Sequence, residues 1–216
     1  MTRLPAQRSL AWGERAAQGP IARAAGWIKS LAGPRPHAPA DRLPDLPAVL
    51  RRSPLAPPYL EALAGPDHRR AAAAAVSASE QAVTERSWWA ADAWAHRALW
   101  HFERADMTLD ATRQARRIGD IRVSGGDPAS ARRYYAEAIG EARDIGAERE
   151  QGLAALGMGR AELELGNVTM ARRLATIAVE LLERARAPAD EVAAAAGLRG
   201  EEKAVGAAPP EAEEDG

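Results

Sequence analysis

Gly126-Asp127-Pro128-Ala129-Ser130-Ala131-Arg132-Arg133 is echoed by Gly166-Asn167-Val168-Thr169-Met170-Ala171-Arg172-Arg173, 40 residues further on. The match extends outward on both sides. Gly119 recurs as Gly159, and Ala138 as Ala178. A fixed period of this size marks a stack of like supersecondary units, each burying its apolar face against the next. Such stacks present extended binding surfaces and have no obligatory reaction pocket.

The quoted stretch is a turn followed by a helix start. Asp127-Pro128 reads as an N-cap followed by proline at the first helical position. From there the helical pattern runs to about 145 and stops at Gly146. The next helix covers about 147–165, and Asn167 caps another to about 186, where Pro188 breaks it. Upstream, Asp67 caps a helix to about 85, Ser87 caps one over about 88–105, and a third covers about 109–124. A last helix is predicted over about 189–203. No strand pattern interrupts the series, so the expected fold class is all-α.

Ten of the fifteen prolines fall in the first 58 residues, too densely between Pro34 and Pro58 for a helix or an inner strand. Residues 33–56 therefore read as an extended linker. Short helices are predicted over about 6–17 and 20–32, and another over 59–64. The division is a basic, Pro-rich arm and linker (1–56), a helical repeat body (57–203) and an acidic, disordered tail (204–216).

Net charge is −1 but unevenly placed. Residues 1–56 carry nine Arg/Lys against Glu14, Asp41 and Asp45, while residues 201–216 carry six acidic side chains against Lys203. Such ends read as interaction segments, or as two segments that meet each other. No cysteine is present, which excludes disulfides, thiolate zinc sites and cysteine nucleophiles. No apolar run approaches the roughly 18–20 residues of a membrane span, and Arg8, Gly13, Glu14 and Arg15 interrupt any secretory signal. The expected location is cytoplasmic, with peripheral attachment at the inner face of the membrane as the alternative.

Catalytic patterns are weak, and no catalytic residue, metal ligand or cofactor is assigned. His96 and His101 are five apart and do not share a helix face. Gly157-Met158-Gly159 lies within a predicted helix and follows no strand, which defeats a dinucleotide-loop reading. Ser124-Gly125-Gly126 lacks the strand-turn-helix setting of a nucleophile elbow. Trp88, Trp89, Trp94 and Trp100 crowd one helix, and their directions spread around its circumference. Some are expected to pack beneath the arm or the 59–64 helix. Trp27 and Ile28 of the arm, with Trp88 and Trp89, are the candidate arm contacts. An exposed aromatic anchor for a partner is the sharper alternative.

The helix, Gly-Asp/Asn turn, helix pattern resembles the tetratricopeptide repeat. Gly119 and Gly159 match its small position in the first helix of a unit. Ala131 and Ala171 match the signature alanine early in the second helix, and Ala138 and Ala178 the later one. Tyr135 fits the aromatic position between them, and Ala175 replaces it in the next unit. A 40-residue unit is longer than the usual repeat of about 34. It is similar to the long-helix variety of kinesin light chains and of some bacterial regulators. Ser79, Arg86, Ala91 and Ala98 continue the spacing backwards, so 72–111 looks like a degenerate first unit. The large aromatic near the start of the first helix is missing; Ala115 and Ala155 stand there.

The resemblance implies a right-handed superhelical stack with a C-terminal capping helix, and a concave groove lined by the first helix of each unit. Carried over, the groove residues are Ala73, Val76, Glu80 and Val83, then Arg113, Arg116, Asp120 and Val123, then Leu153, Leu156, Arg160 and Leu163. Arginine forks recognise carboxylates through directed hydrogen bonds. The expected function is a non-enzymatic adaptor binding a protein or peptide with acidic and apolar residues, the arm adding a second contact. One candidate ligand is the chain's own Glu211-Ala212-Glu213-Glu214-Asp215. The alternatives are an anionic membrane surface, reached by the amphipathic 20–32 segment, and nucleic acid, which is disfavoured.

Overall fold

A computed structural model describes residues 45–200, and its regular elements are all helices. They are α1 (Ala48–Arg51), α2 (Ala56–Leu63), α3 (His68–Thr84), α4 (Trp88–Arg104), α5 (Thr108–Ser124), α6 (Pro128–Asp144), α7 (Glu148–Glu164), α8 (Val168–Arg184) and α9 (Ala189–Gly200). From α3 to α8 every helix is 17 residues long. Each starts 20 residues after the one before, so two helices make the 40-residue period. Every helix packs on its successor, and α7 also touches α5 and α9. The chain is therefore a stack of helix-turn-helix units, with α3, α5 and α7 in one layer and α4, α6 and α8 in the other.

The turns explain the strict spacing. Arg86, Asp106, Gly126, Gly146, Gly166 and Arg186 all have positive φ, one per turn at 20-residue intervals. The next amide in each turn bonds back across it, as from Ala147 to the Ala142 carbonyl (2.7 Å) and from Met107 to the Phe102 carbonyl (3.0 Å). This closes each helix with a left-handed residue that satisfies its last carbonyls. At Ser87, Met107, Asp127, Ala147 and Asn167 that same amide belongs to the N-cap of the following helix, so these five turns are three residues long; the last, 185–188, is one residue longer. Asp127 caps through its side chain, accepting from the Ser130 amide at 3.1 Å. Asn167 holds the N-cap position without a side-chain cap bond. Its amide instead donates to Glu162 at 2.6 Å. Ser87 likewise sits at the N-cap and makes no side-chain cap bond.

Arginine in the left-handed region costs about 1–2 kcal/mol relative to a right-handed conformation. Arg86→Gly and Arg186→Gly are therefore each expected to raise stability by about 0.5–1 kcal/mol, net of glycine's greater freedom when unfolded. Gly146→Ala is expected to lower it by about 1 kcal/mol. Urea midpoints of the three variants test the turn account.

Small residues set the helix crossings. The repeat alanines Ala91, Ala98, Ala131, Ala138, Ala171 and Ala178 are all buried. A Cβ added at Gly119 would lie 2.7 Å from the Tyr135 ring, and one at Gly159 would lie 2.9 Å from Leu198. In the first unit Ser79 takes the place of these glycines, and its hydroxyl donates to the Ala91 carbonyl at 2.9 Å. Tyr135 from α6 also meets Gly157, so its ring is wedged between α5 and α7.

Part of the predicted linker is helical. Within 33–56, α1 forms because Leu46 and Leu50, four apart, both turn into the core. Pro47 precedes the first turn, where a missing N–H costs nothing. The Arg51 side chain donates to the Leu46 carbonyl at 2.8 Å, and Arg97 of α4 donates to the Asp45 carbonyl at 3.1 Å. The predicted 59–64 helix is α2, with Pro57 and Pro58 in its first turn. Tyr59 and Trp94 meet edge to face at 5.2 Å, fixing α2 over α4. Residues 6–17, 20–32 and the acidic tail lie outside the described residues.

Candidate functional site

The layer formed by α3, α5 and α7 carries the expected groove residues, but its arginines already have carboxylate partners. Glu150 of α7 accepts from Arg113 Nε at 3.1 Å and from Arg116 Nε at 3.4 Å. Its side chain is only 7% exposed. Arg116 also pairs with Asp120 at 3.0 Å, and Arg113 with Asp110 at 3.3 Å. The Tyr135 hydroxyl donates to the other Asp120 oxygen at 2.8 Å. Burial pushes the Asp120 carboxyl above the usual carboxylate range, against the opposing pull of Arg116 and the Tyr135 hydrogen bond. Arg113 and Arg116 thus staple α5 to α7, and a partner's carboxylate would have to displace Glu150. Arg160 is exposed on α7.

The leucines divide. Leu156 is in the core at 5% exposure, so it turns away from the surface where the groove reading put it. Leu153 and Leu163 are half-buried and lean on the same core. On a 3.6-residue helix the stripe that packs on the next unit and the stripe that faces outward adjoin, and Leu156 falls on the inner one.

An open pocket of about 330 Å³ lies where α3, α5 and the start of α4 converge. Val83, Trp88 and Ile121 give it apolar walls; Glu80, Arg117, Asp120, Ser79 and Ser124 complete the lining. Glu80 and Arg117 form an ion pair between α3 and α5. Trp88 lies close to Gly125, at which an added Cβ would be 3.2 Å from the tryptophan Cβ. The structure therefore brings Glu80, Val83 and Asp120 of the predicted groove together with Trp88 of the predicted arm contacts. Arg117 and Ile121 of the pocket lining, and the buried Glu150 that pairs with Arg113 and Arg116, were missed. A signal for two of them lies in the spacing: Glu80–Arg117 and Arg113–Glu150 are both opposite charges 37 apart.

The remaining aromatic and histidine residues have structural settings. Trp94 is fully buried beneath α2, and Trp89 is 57% exposed. His96 bonds the Tyr134 hydroxyl at 2.8 Å. His101 lies between the Tyr59 hydroxyl (3.0 Å) and the His68 ring (2.9 Å). Among the described residues no group of three or more histidines and carboxylates is placed to hold a metal ion. Trp27 and Ile28 lie outside the described residues. Among those described, no helix is long and apolar enough to cross a membrane.

Burial pushes the His101 imidazole down to about 4, helped by the neighbouring His68 and Arg97. An unfolded histidine titrates near 6.5, so between these values the unfolded chain binds a proton that the folded chain refuses. The His101 contribution is complete above about pH 6.5 and disappears as the pH falls through about 4. Wild type is expected to lose on the order of 2–3 kcal/mol more than His101→Gln between pH 7 and pH 4.5. Urea titrations of both proteins at the two pH values measure the difference.

In comparison with known proteins, no protein-family model, no curated protein and no solved structure matches this chain.

Proposed function

We propose that this chain is a non-enzymatic protein-interaction scaffold of the tetratricopeptide-repeat kind. It holds a partner peptide along the face of α3, α5 and α7, with one apolar side chain anchored between α3 and α5. The carrying observation is the open pocket walled by Val83, Trp88 and Ile121. Pockets of this size with apolar walls and a few polar groups suit a single large side chain. Its rim is not a free cationic clamp, because Arg117 is paired with Glu80 and Asp120 adds a further carboxylate. Complementarity therefore favours an apolar anchor beside neutral or cationic residues. The acidic preference expected from Arg113 and Arg116 now has only Arg160 to carry it.

Selection of a random peptide library on the immobilised full chain tests this reading. Enriched peptides should share a large apolar residue, and Val83→Glu or Ser124→Arg should weaken them at least tenfold with helicity unchanged. Enrichment without an apolar anchor, or binding indifferent to both variants, would contradict it.

A further inference from the structure

The two ends of the stack are finished differently. Among the described residues, α9 closes the C-terminal end with Leu198 buried and Asp190 and Arg199 exposed; it exposes no large apolar side chain. At the other end, α1 exposes Val49 (64%), and α2 exposes Leu60 (42%) and Leu63 (40%). Leu60 and Leu63 are three apart and share one stripe of α2. A repeat stack needs a polar outer face at its ends, so an apolar stripe there calls for a cover.

We propose that residues 20–32 dock as a helix on the Leu60–Leu63 stripe and complete the N-terminal end of the stack. The segment has the matching pattern: Ile21, Ala24, Ala25, Ile28 and Leu31 on one stripe, with Arg23 and Lys29 opposite. Its tether starts in the right place. The described chain enters at Asp45, pinned by Arg97, and Leu46 and Leu50 seat it in the core shared with α2. Residues 33–44 connect the two, with Pro34, Pro36, Pro39 and Pro44 favouring an extended path. At about 3.1 Å per residue such a linker reaches roughly 37 Å, several times the length of α2. Tethering gives the segment an effective concentration on the order of millimolar, which a free second copy or an outside partner rarely matches. A helix of this length is marginal alone and gains its order from the surface it covers.

The chain lacks cysteine, so paired cysteines report the contact directly. In the full-length protein, Ile28→Cys/Leu60→Cys should form an intramolecular disulfide under mild oxidation. Its rate should not depend on protein concentration and should exceed at least tenfold that of Ile28→Cys/Arg173→Cys, whose second site is on the exposed face of α8. Amide exchange over 20–32 should be slowed at least tenfold relative to an unstructured peptide. That protection should vanish in Leu60→Asp/Leu63→Asp, whose exposed sites leave α3 to α8 intact. Cross-links between chains that grow with concentration would overturn the proposal in favour of a second copy. Protection of 20–32 that appears only with phosphatidylglycerol vesicles would overturn it in favour of a membrane surface. Absence of a cross-link, or equal protection in the aspartate variant, would also overturn it.

Discussion

Tyr135→Ala is expected to cost about 3–5 kcal/mol, the usual loss when a buried aromatic is truncated in a close-packed core. The ring is 1% exposed. It fills the space left by Gly119 on α5 and Gly157 on α7, so its removal opens a cavity shared by three helices. Its hydroxyl is also a hydrogen-bond donor to Asp120, a carboxylate already raised by burial. Tyr135→Phe keeps the packing and removes only that donor, at about 1–2 kcal/mol. Urea denaturation of the two variants separates the terms. Equal losses would mean that the hydrogen bond, and not the wedge between the glycines, holds α5 to α7. Against a typical total of roughly 5–15 kcal/mol, the alanine variant would be near the edge of folding.

Trp94→Ala is expected to be nearly as costly, about 3 kcal/mol, but local in its effect. Trp94 is fully buried and stacks edge to face on Tyr59, joining α4 to α2. Its indole N–H has no hydrogen-bond partner among the described residues. Removing it therefore relieves an unmet polar group, which puts the loss at the lower end for a tryptophan. A repeat stack is held by neighbour contacts, so damage at one end need not spread to the other. Hydrogen exchange should show α1 and α2 losing protection while α7 and α8 keep theirs. Uniform loss across the chain would show a single cooperative unit instead.

The helical body was legible because its punctuation is local. Glycines, Asp127-Pro128 and Pro188 mark ends that depend on neighbours in sequence, and the observed helices begin and end within about two residues of those marks. At Arg86, Asp106 and Arg186 the same left-handed turn is made without glycine, and only the 20-residue spacing gives it away. The linker reading failed over α1 because proline density hid the Leu46–Leu50 pair, whose burial depends on a surface supplied by α2 and α4.

The candidate site was less legible because it depends on pairs between helices. Arginines that look like a free clamp in sequence are neutralised by Glu150, a residue on the next unit. Such pairs have their own register. Asp92–Arg122 joins α4 to α5 at 3.0 Å, and Arg132–Glu162 joins α6 to α7 at 2.7 Å. Both span 30 residues and lie 40 apart with the charges reversed, so the ion pairs repeat with the fold. The His68–His101 contact is not part of this register: 40 residues on, Thr108 and Glu141 stand in place of the two histidines.

Peptide binding by one apolar anchor on the proposed face of α3, α5 and α7 can be followed by titrating isotope-labelled full-length chain with a selected peptide and recording amide and indole resonances. Saturable shifts are expected at Val83, the Trp88 indole, Arg117, Ile121 and Ser124, all lost in Val83→Glu. Shifts confined to the outer faces of α4, α6 and α8, around Arg133 and Arg173, would contradict it.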